Sequence, residues 1–279
     1  MAGDGASVLP FRSWIRDRVG TISLASASNR NALSFDTLQR LQAQLRAFFC
    51  NPSVNVVVIQ SDTPGTFSSS HDLRAIHRLQ QEVAGGGAGG RDRPEGLFRL
   101  CSSTMLSIFH AEEPVIAKFD GVVTAAGCQL VASCELAYAT GRSAFCTPCG
   151  GLGLYCSTPG VALGRSVGRK HAAEMLLTGR MVPAAEAVNM GLINRTVGGG
   201  VEELDVCVAE VARTIASKSP GAIGTGKPLF ARQMDSSLDE AYALASIRMA
   251  EDIFPEAGKE GIAAFLENRT PDWRDEPVK

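Results

Sequence analysis

A chain of 279 residues, 45% of them apolar, is long enough for one large core with an appendage or for two modest domains. A formal net charge of −2 supplies no global basic field, which argues against nucleic acid or an acidic membrane surface as partner. No apolar run approaches the roughly 20 residues of a membrane span, and eight cysteines scattered without a secretory signal point to reduced thiols in cytosol or mitochondrial matrix.

At the N-terminus Arg12, Arg16 and Arg18, with little acid nearby, faintly resemble a mitochondrial presequence. Ser34 can cap a helix whose apolar face is Phe35, Leu38, Leu41, Leu45, Phe48 and Phe49. Residues 54–60 (VNVVVIQ) then read as a buried parallel strand: β-branched, continuous and too short for a helix. The loop 66–73 follows, and a helical pattern after it. This is a strand–loop–helix unit, which presents backbone N–H groups at a helix start. Residues 83–96 are too glycine-rich to order themselves by burial and read as a mobile loop, either a passive insertion or a flap.

The most informative stretch is 115–140, VIAKFDGVVTAAGCQLVASCELAYAT. A short apolar run (115–119) leads to the small-residue turn Thr124-Ala125-Ala126-Gly127, and apolar residues fall at helical spacing from Cys128. A strand ending in such a turn aims unpaired N–H groups and the positive end of a helix at one point. Anions, or oxygens becoming anionic, bind there. Two such units on neighbouring parallel strands can converge on one carbonyl oxygen; a plain tight connection in an α/β domain is the alternative.

Further on, Cys146-Thr-Pro-Cys149 is a lone CxxC. No second paired motif completes a zinc site, and a redox CxxC normally opens a helix whereas this one precedes Gly150-Gly151. No metal is expected. Pro183 and Gly191 bracket a short helix, and strands alternate with helices through Val197, which argues a mostly parallel sheet. From Glu202 onward the pattern is helical only.

The order NRNALS (29–34), VVVIQSD (56–62), FSSSHDL (67–73), PVIAKFDGVVTAAGCQL (114–130), CSTPG (156–160) and LLTGRMVPAAEAVNMGLINRTV (176–197) resembles the crotonase, or enoyl-CoA hydratase/isomerase, superfamily. The likeness runs from about Val19 to the C-terminus, and VVTAAGCQLVASCE, LYCSTPGVAL and DEPV narrow it to one subgroup. It implies an α/β fold, the crotonase (ClpP-like) spiral of repeated ββα units, with a core over 1–201 and a C-terminal helical region over 202–279 that packs homotrimers or homohexamers. Residues 11–24 fit the family's opening strand pair better than a presequence. The subgroup's usual compartment, the mitochondrial matrix, is slightly favoured over the cytoplasm.

The resemblance also implies a substrate, an acyl-CoA or enoyl-CoA thioester, with no cofactor beyond the coenzyme A it carries. The thioester carbonyl of crotonases sits between two backbone N–H groups, here those of His71 and Ala126. Ser69, Asp72, Leu73, Arg74 and Gly127 would line the substrate. Arg74 stands where the family often places a base near the CoA phosphates, or it is a solvated surface arginine. Ser70 replaces a common glycine at a position where φ > 0 would cost serine about 1 kcal/mol.

Hydration of an enoyl thioester needs two carboxylates, one for water and one for the α-carbon proton. The family's G-C-E glutamate is here Gln129 and its P-E glutamate is Cys149; the base position used by some isomerases is Ser157. None is an acid. Cys149 remains conceivable as nucleophile or base, or else as a small apolar filler. His71 carries a titratable ring beside the oxyanion position, or packs it against the back of the loop. Asp72 is expected to hold the loop through backbone bonds. Two functions remain open: a lyase- or isomerase-like enzyme of altered chemistry, and a catalytically silent acyl-CoA-binding regulatory or scaffold protein of fatty-acid metabolism.

Overall fold

An antiparallel hairpin opens the fold, β1 (Phe11–Arg16) against β2 (Val19–Leu24). Its two-residue turn places Asp17 and Arg18 at φ 51° and 61°, the pair of positive values that matches strand twist in a tight hairpin. Arg12, Arg16 and Arg18 therefore belong to this strand pair. The computed structural model describes residues 10–85 and 92–273. Helix α1 (Phe35–Phe49) starts at Ser34, whose hydroxyl accepts from the Thr37 N–H, and it buries Leu38, Leu41, Leu45 and Phe48.

Three ββα units follow. The first is β3 (Val56–Ser61) and β4 (Thr66–Ser68) with α2 (Leu73–Ala84) and α3 (Asp92–His110). The second is β5 (Val115–Phe119) and β6 (Val122–Thr124) with α4 (Ala126–Ser133). The third is β7 (Leu136–Thr140) and β8 (Ala144–Cys146), a 3-10 turn over Pro148–Leu152, and α5 (Ser157–Ser166). Then come α6 (Arg169–Thr178), β9 (Val182–Pro183), α7 (Ala184–Met190) and β10 (Arg195–Val197). Gly191, at φ 84°, ends α7. The chain finishes in α8 (Val201–Ala216), α9 (Pro220–Met234), α10 (Leu238–Glu251) and α11 (Glu256–Leu266).

The long strand of each unit joins one sheet, ordered β1-β2-β3-β5-β7-β10, and the short strand joins a second, ordered β4-β6-β8-β9. Among the described residues only the β1–β2 and β8–β9 pairings are antiparallel. This is the repeated ββα spiral. β3 shows why a continuous apolar run was needed: Val57 and Ile59 face the main core, while Val56 and Val58 face a second cluster with Leu204, Val208 and Ala212 of α8. With both faces covered, alternation disappears from the sequence. α8, the first helix beyond the expected 201/202 boundary, thus lies directly on the sheet.

Two expectations need correction. Helix α4 begins at Ala126, two residues before the first apolar periodic position. The glycine-rich segment is narrower than 83–96: its first residues end α2 and its last begin α3, leaving residues 86–91 outside the described structure. The helical pattern expected after residue 73 is α2, a polar helix with no buried residue. The terminal DEPV also lies outside the described residues.

Candidate active site

Strands β4 and β6 are parallel neighbours, with Thr66 opposite Val122 and Ser68 opposite Val123. They start together because Gly121, at φ 102°, crosses Gly65 so closely that a Cβ would lie 2.1 Å from the Gly65 carbonyl carbon; the Val122 N–H donates to the Gly65 carbonyl at 2.9 Å. They also end together. A Cβ on Gly127 would sit 2.9 Å from the Ser68 carbonyl oxygen and 3.0 Å from its Cβ, so only glycine lets the start of α4 rest on the end of β4. The two turns that follow these strands, Ser69-Ser70-His71 and Ala125, are thereby brought side by side. Among the described residues none accepts a hydrogen bond from the backbone N–H of His71 or of Ala126.

The first turn is fastened by the NRNALS segment. The buried Asn31 amide donates to the Phe67 carbonyl at 3.0 Å and to Ser61 Oγ at 2.8 Å, while its Oδ1 accepts from the Ser26 N–H at 2.8 Å. The Ser69 N–H donates to the Arg30 carbonyl and its hydroxyl to the Asn29 carbonyl, both at 3.0 Å; the Leu33 N–H returns a bond to the Ser70 carbonyl at 2.7 Å. The sequence had marked these residues as motif without giving them a role. The signal was present: Arg30 and Asn31 both take positive φ, 55° and 53°, and an N-R-N run is turn composition.

His71 is buried. Its Nδ1 lies 2.9 Å from the Leu33 carbonyl, and a carbonyl only accepts, so Nδ1 carries the proton. The ring meets Phe98 of α3 edge to face, centroids 5.3 Å apart, and Nε2 has no hydrogen-bond partner. Burial lowers the imidazole pKa, against the opposing pull of the Leu33 bond. The ring is thus a packed, neutral wedge behind the loop. Asp72 is the N-cap of α2, accepting from the N–H groups of Arg74 at 2.9 Å and Ala75 at 3.1 Å. Leu73 and Arg74 are exposed on the first turn of that helix.

Gln129 lies buried one turn into α4, its Oε1 3.7 Å from Cys101 Sγ of α3. Cys149 is a correction. It is not a free thiol but is disulfide-bonded to Cys156, with Cα atoms 5.5 Å apart, so it is neither nucleophile nor base in this state. The expectation of reduced thiols throughout fails at this pair. Sequence spacing had grouped Cys149 with Cys146, yet Cys146 is buried on β8 as a free thiol, and the chain turns back through Gly150–Gly153 to bring Cys156 to Cys149 instead. Ser157 is the first, exposed residue of α5. Burial pushes the Cys101 thiol up to about 12 and raises Cys128, Cys134 and Cys146 as well, so these are inert fillers. Among the described residues no three His, Cys, Asp or Glu side chains are grouped as metal ligands.

Both turns hold strained non-glycine residues. Ser70 takes φ 85°, as anticipated, and Ala125 takes φ 42°, ψ −104°, which was not. Each conformation suits glycine and costs another residue on the order of 1–3 kcal/mol.

The sequence matches the family described as Enoyl-CoA hydratase/isomerase over residues 15–276. It is 41% identical to human mitochondrial enoyl-CoA hydratase domain-containing protein 3 over 262 residues, covering 94% of this chain and 82% of that protein. This is the subgroup to which the three segments above point. A crystal structure of the human protein superposes with a TM-score of 0.88 at 40% identity, over 95% of this chain and 100% of the other. A crystal structure of an enoyl-CoA hydratase from Mycobacterium smegmatis gives 0.86 at 38% identity, over 95% and 98%.

Replacing either strained residue by glycine should stabilise the protein. Ser70→Gly and Ala125→Gly are each expected to gain about 1 kcal/mol, a rise of roughly 2–4 °C in melting temperature. Calorimetry that shows both variants melting below the parent would mean that neither turn is strained.

Proposed function

Because the chain belongs to the enoyl-CoA hydratase/isomerase family, we propose that it binds acyl-CoA or enoyl-CoA thioesters through an oxyanion hole formed by the His71 and Ala126 N–H groups. The observation that carries this reading is the seating of Gly127 on Ser68, which sets two turns with unpaired donors next to each other. Backbone donors stabilise an oxygen that gains charge as the thioester enolises, and they do so whatever side chains the turns carry. The Ala126 donor also opens a helix, whose dipole favours the same charge. Coenzyme A enters with the substrate, and Ser69, Asp72, Leu73, Arg74 and Gly127 are the residues proposed to border it.

Standard hydratase chemistry is not proposed. Hydration requires proton transfer by two carboxylates, and an amide at 129 with a disulfide sulfur at 149 offers no pKa suited to it. A catalytically silent, acyl-CoA-binding regulatory or scaffold role is the second reading, favoured by the engagement of Cys149 with Cys156. A mitochondrial location is proposed because the human relative and others like it are named mitochondrial proteins.

Self-association into trimers or hexamers is also proposed. Among the described residues α10 buries none of its own, and α9 to α11 leave Phe230, Leu238, Tyr242, Phe254 and Phe265 exposed. So much apolar surface on adjacent helices calls for a partner, and a second copy presents the same face.

Three outcomes check these readings. CoA thioesters should raise stability by about 2.7 kcal/mol at a hundredfold excess over the dissociation constant; no thermal shift with any acyl chain length at millimolar ligand would sink the site. The wild type should hydrate crotonyl-CoA feebly or not at all, since each missing acid or base removes about 10²–10⁴ in rate. Gln129→Glu with Cys149→Glu should then exceed the wild type while either change alone does little. Robust wild-type hydration, followed as loss of enoyl-thioester absorbance, would overturn this. Light scattering at micromolar protein should return trimer or hexamer, and a monomer alone would contradict the assembly.

A further inference from the structure

The six residues between Cys149 and Cys156 are all exposed, among them Leu152, Leu154 and Tyr155, and three of the six are glycines. Among the described residues their hydrogen bonds are local. The Gly153 N–H donates to Gly150, Leu154 to Cys149, and Ser157 to Tyr155; among the described residues none reaches the body of the protein. Both ends, by contrast, are set in the core. Cys149 packs against the main hydrophobic cluster, and Cys156 is buried where it caps α5. The loop's first half packs as a 3-10 turn near α6, and a covalent bond ties its two ends, between Cα atoms 5.5 Å apart, a separation within the span a disulfide bridges.

We propose that Cys149 and Cys156 form a reversible thiol–disulfide modification site which, when oxidised, pins the loop 150–155 and, when reduced, releases it. The co-reactant class is a low-molecular-weight disulfide and its thiol, of which glutathione is the probe. In the closing direction the half-buried Cys149, the more accessible of the two, attacks as thiolate one sulfur of oxidised glutathione, forming a mixed disulfide and expelling one glutathione thiolate. The Cys156 thiolate then attacks the Cys149 sulfur and expels the second. Two protein thiols are oxidised, one glutathione disulfide is reduced to two thiols, and the two protons pass to the released thiolates. The buried thiols of Cys101, Cys128, Cys134 and Cys146 stay out of this exchange because desolvation opposes their ionisation. The inference goes beyond the thioester reading and does not depend on it, since the exchange needs no ligand.

The test uses the full chain with Cys50→Ser, which removes an exposed competing thiol. Protein equilibrated over a range of reduced to oxidised glutathione is acid-quenched, alkylated after unfolding and mapped by mass spectrometry. Parallel samples receive a pulse of chymotrypsin, for which Leu152, Leu154 and Tyr155 are targets. Cys149 and Cys156 should lose alkylation together along one two-electron curve while the core thiols remain alkylated. Cleavage within the loop should slow by about tenfold on oxidation. Cys156→Ser should be cut at the reduced rate at every ratio, and Cys149→Ser likewise if the first variant folds poorly. Free Cys149 and Cys156 in folded protein at the oxidising end would overturn the proposal. So would pairing with any other cysteine, a bond that excess reduced thiol leaves intact, or cleavage rates equal in the two states.

Discussion

The approach of the α4 N-terminus to the end of β4 sets the geometry on which the rest of the candidate site depends, because at position 127 one added carbon would lie 2.9 Å from the Ser68 carbonyl oxygen. That contact couples two turns that belong to successive ββα units. The same coupling is repeated at the other end of the strands, where Gly121 crosses Gly65. Between these two close approaches β4 and β6 have little freedom to shift, so the donor turns inherit their separation from backbone packing, which is stiff. The NRNALS segment adds the third support. Asn31 satisfies groups of the turn that burial would otherwise leave unpaired, and a buried polar group left unpaired costs about 1–3 kcal/mol.

A division of labour follows between backbone and side chain. The proposed donor groups are amides of the main chain, beside Ser70 and Ala125, which occupy conformations better suited to glycine. Proton transfer in this family belongs to side chains, and at those positions stand an amide and a disulfide sulfur. On the proposed reading, binding and acid–base chemistry rest on different groups, the first on main-chain amides and the second on side chains. Strain retained in both turns is in keeping with a selected geometry, since relaxed alternatives would move the N–H groups.

Much of this architecture is legible in the sequence. The continuous run of β3 announced a strand covered on both faces, Ser34 announced the start of α1, and the order of the motifs carried the fold. The positive φ of Ser70 could be anticipated from a substituted glycine, whereas that of Ala125 could not, because nothing local distinguishes a strained alanine from a relaxed one. The helical pattern after residue 73 corresponds to α2, although that helix buries none of its residues. The Cys149–Cys156 pairing escaped for a different reason. Disulfide partners are chosen by how the chain turns in space, and the nearer sequence neighbour Cys146 stays a buried free thiol at the end of β8.

The neutral imidazole of His71 has a wider consequence for the electrostatics of this site. Its Nδ1 proton is committed to the Leu33 carbonyl and burial disfavours a second proton, which shifts the charging of the ring below its ordinary pH range. The N–H groups of His71 and Ala126 do not titrate, nor does the Gln129 amide, nor the sulfur of Cys149 while the disulfide stands. These groups are dipoles of fixed protonation and do not act as titrating charges. In a relative with two glutamates, proton occupancy would add a variable charge; in this chain the residues at both positions carry none.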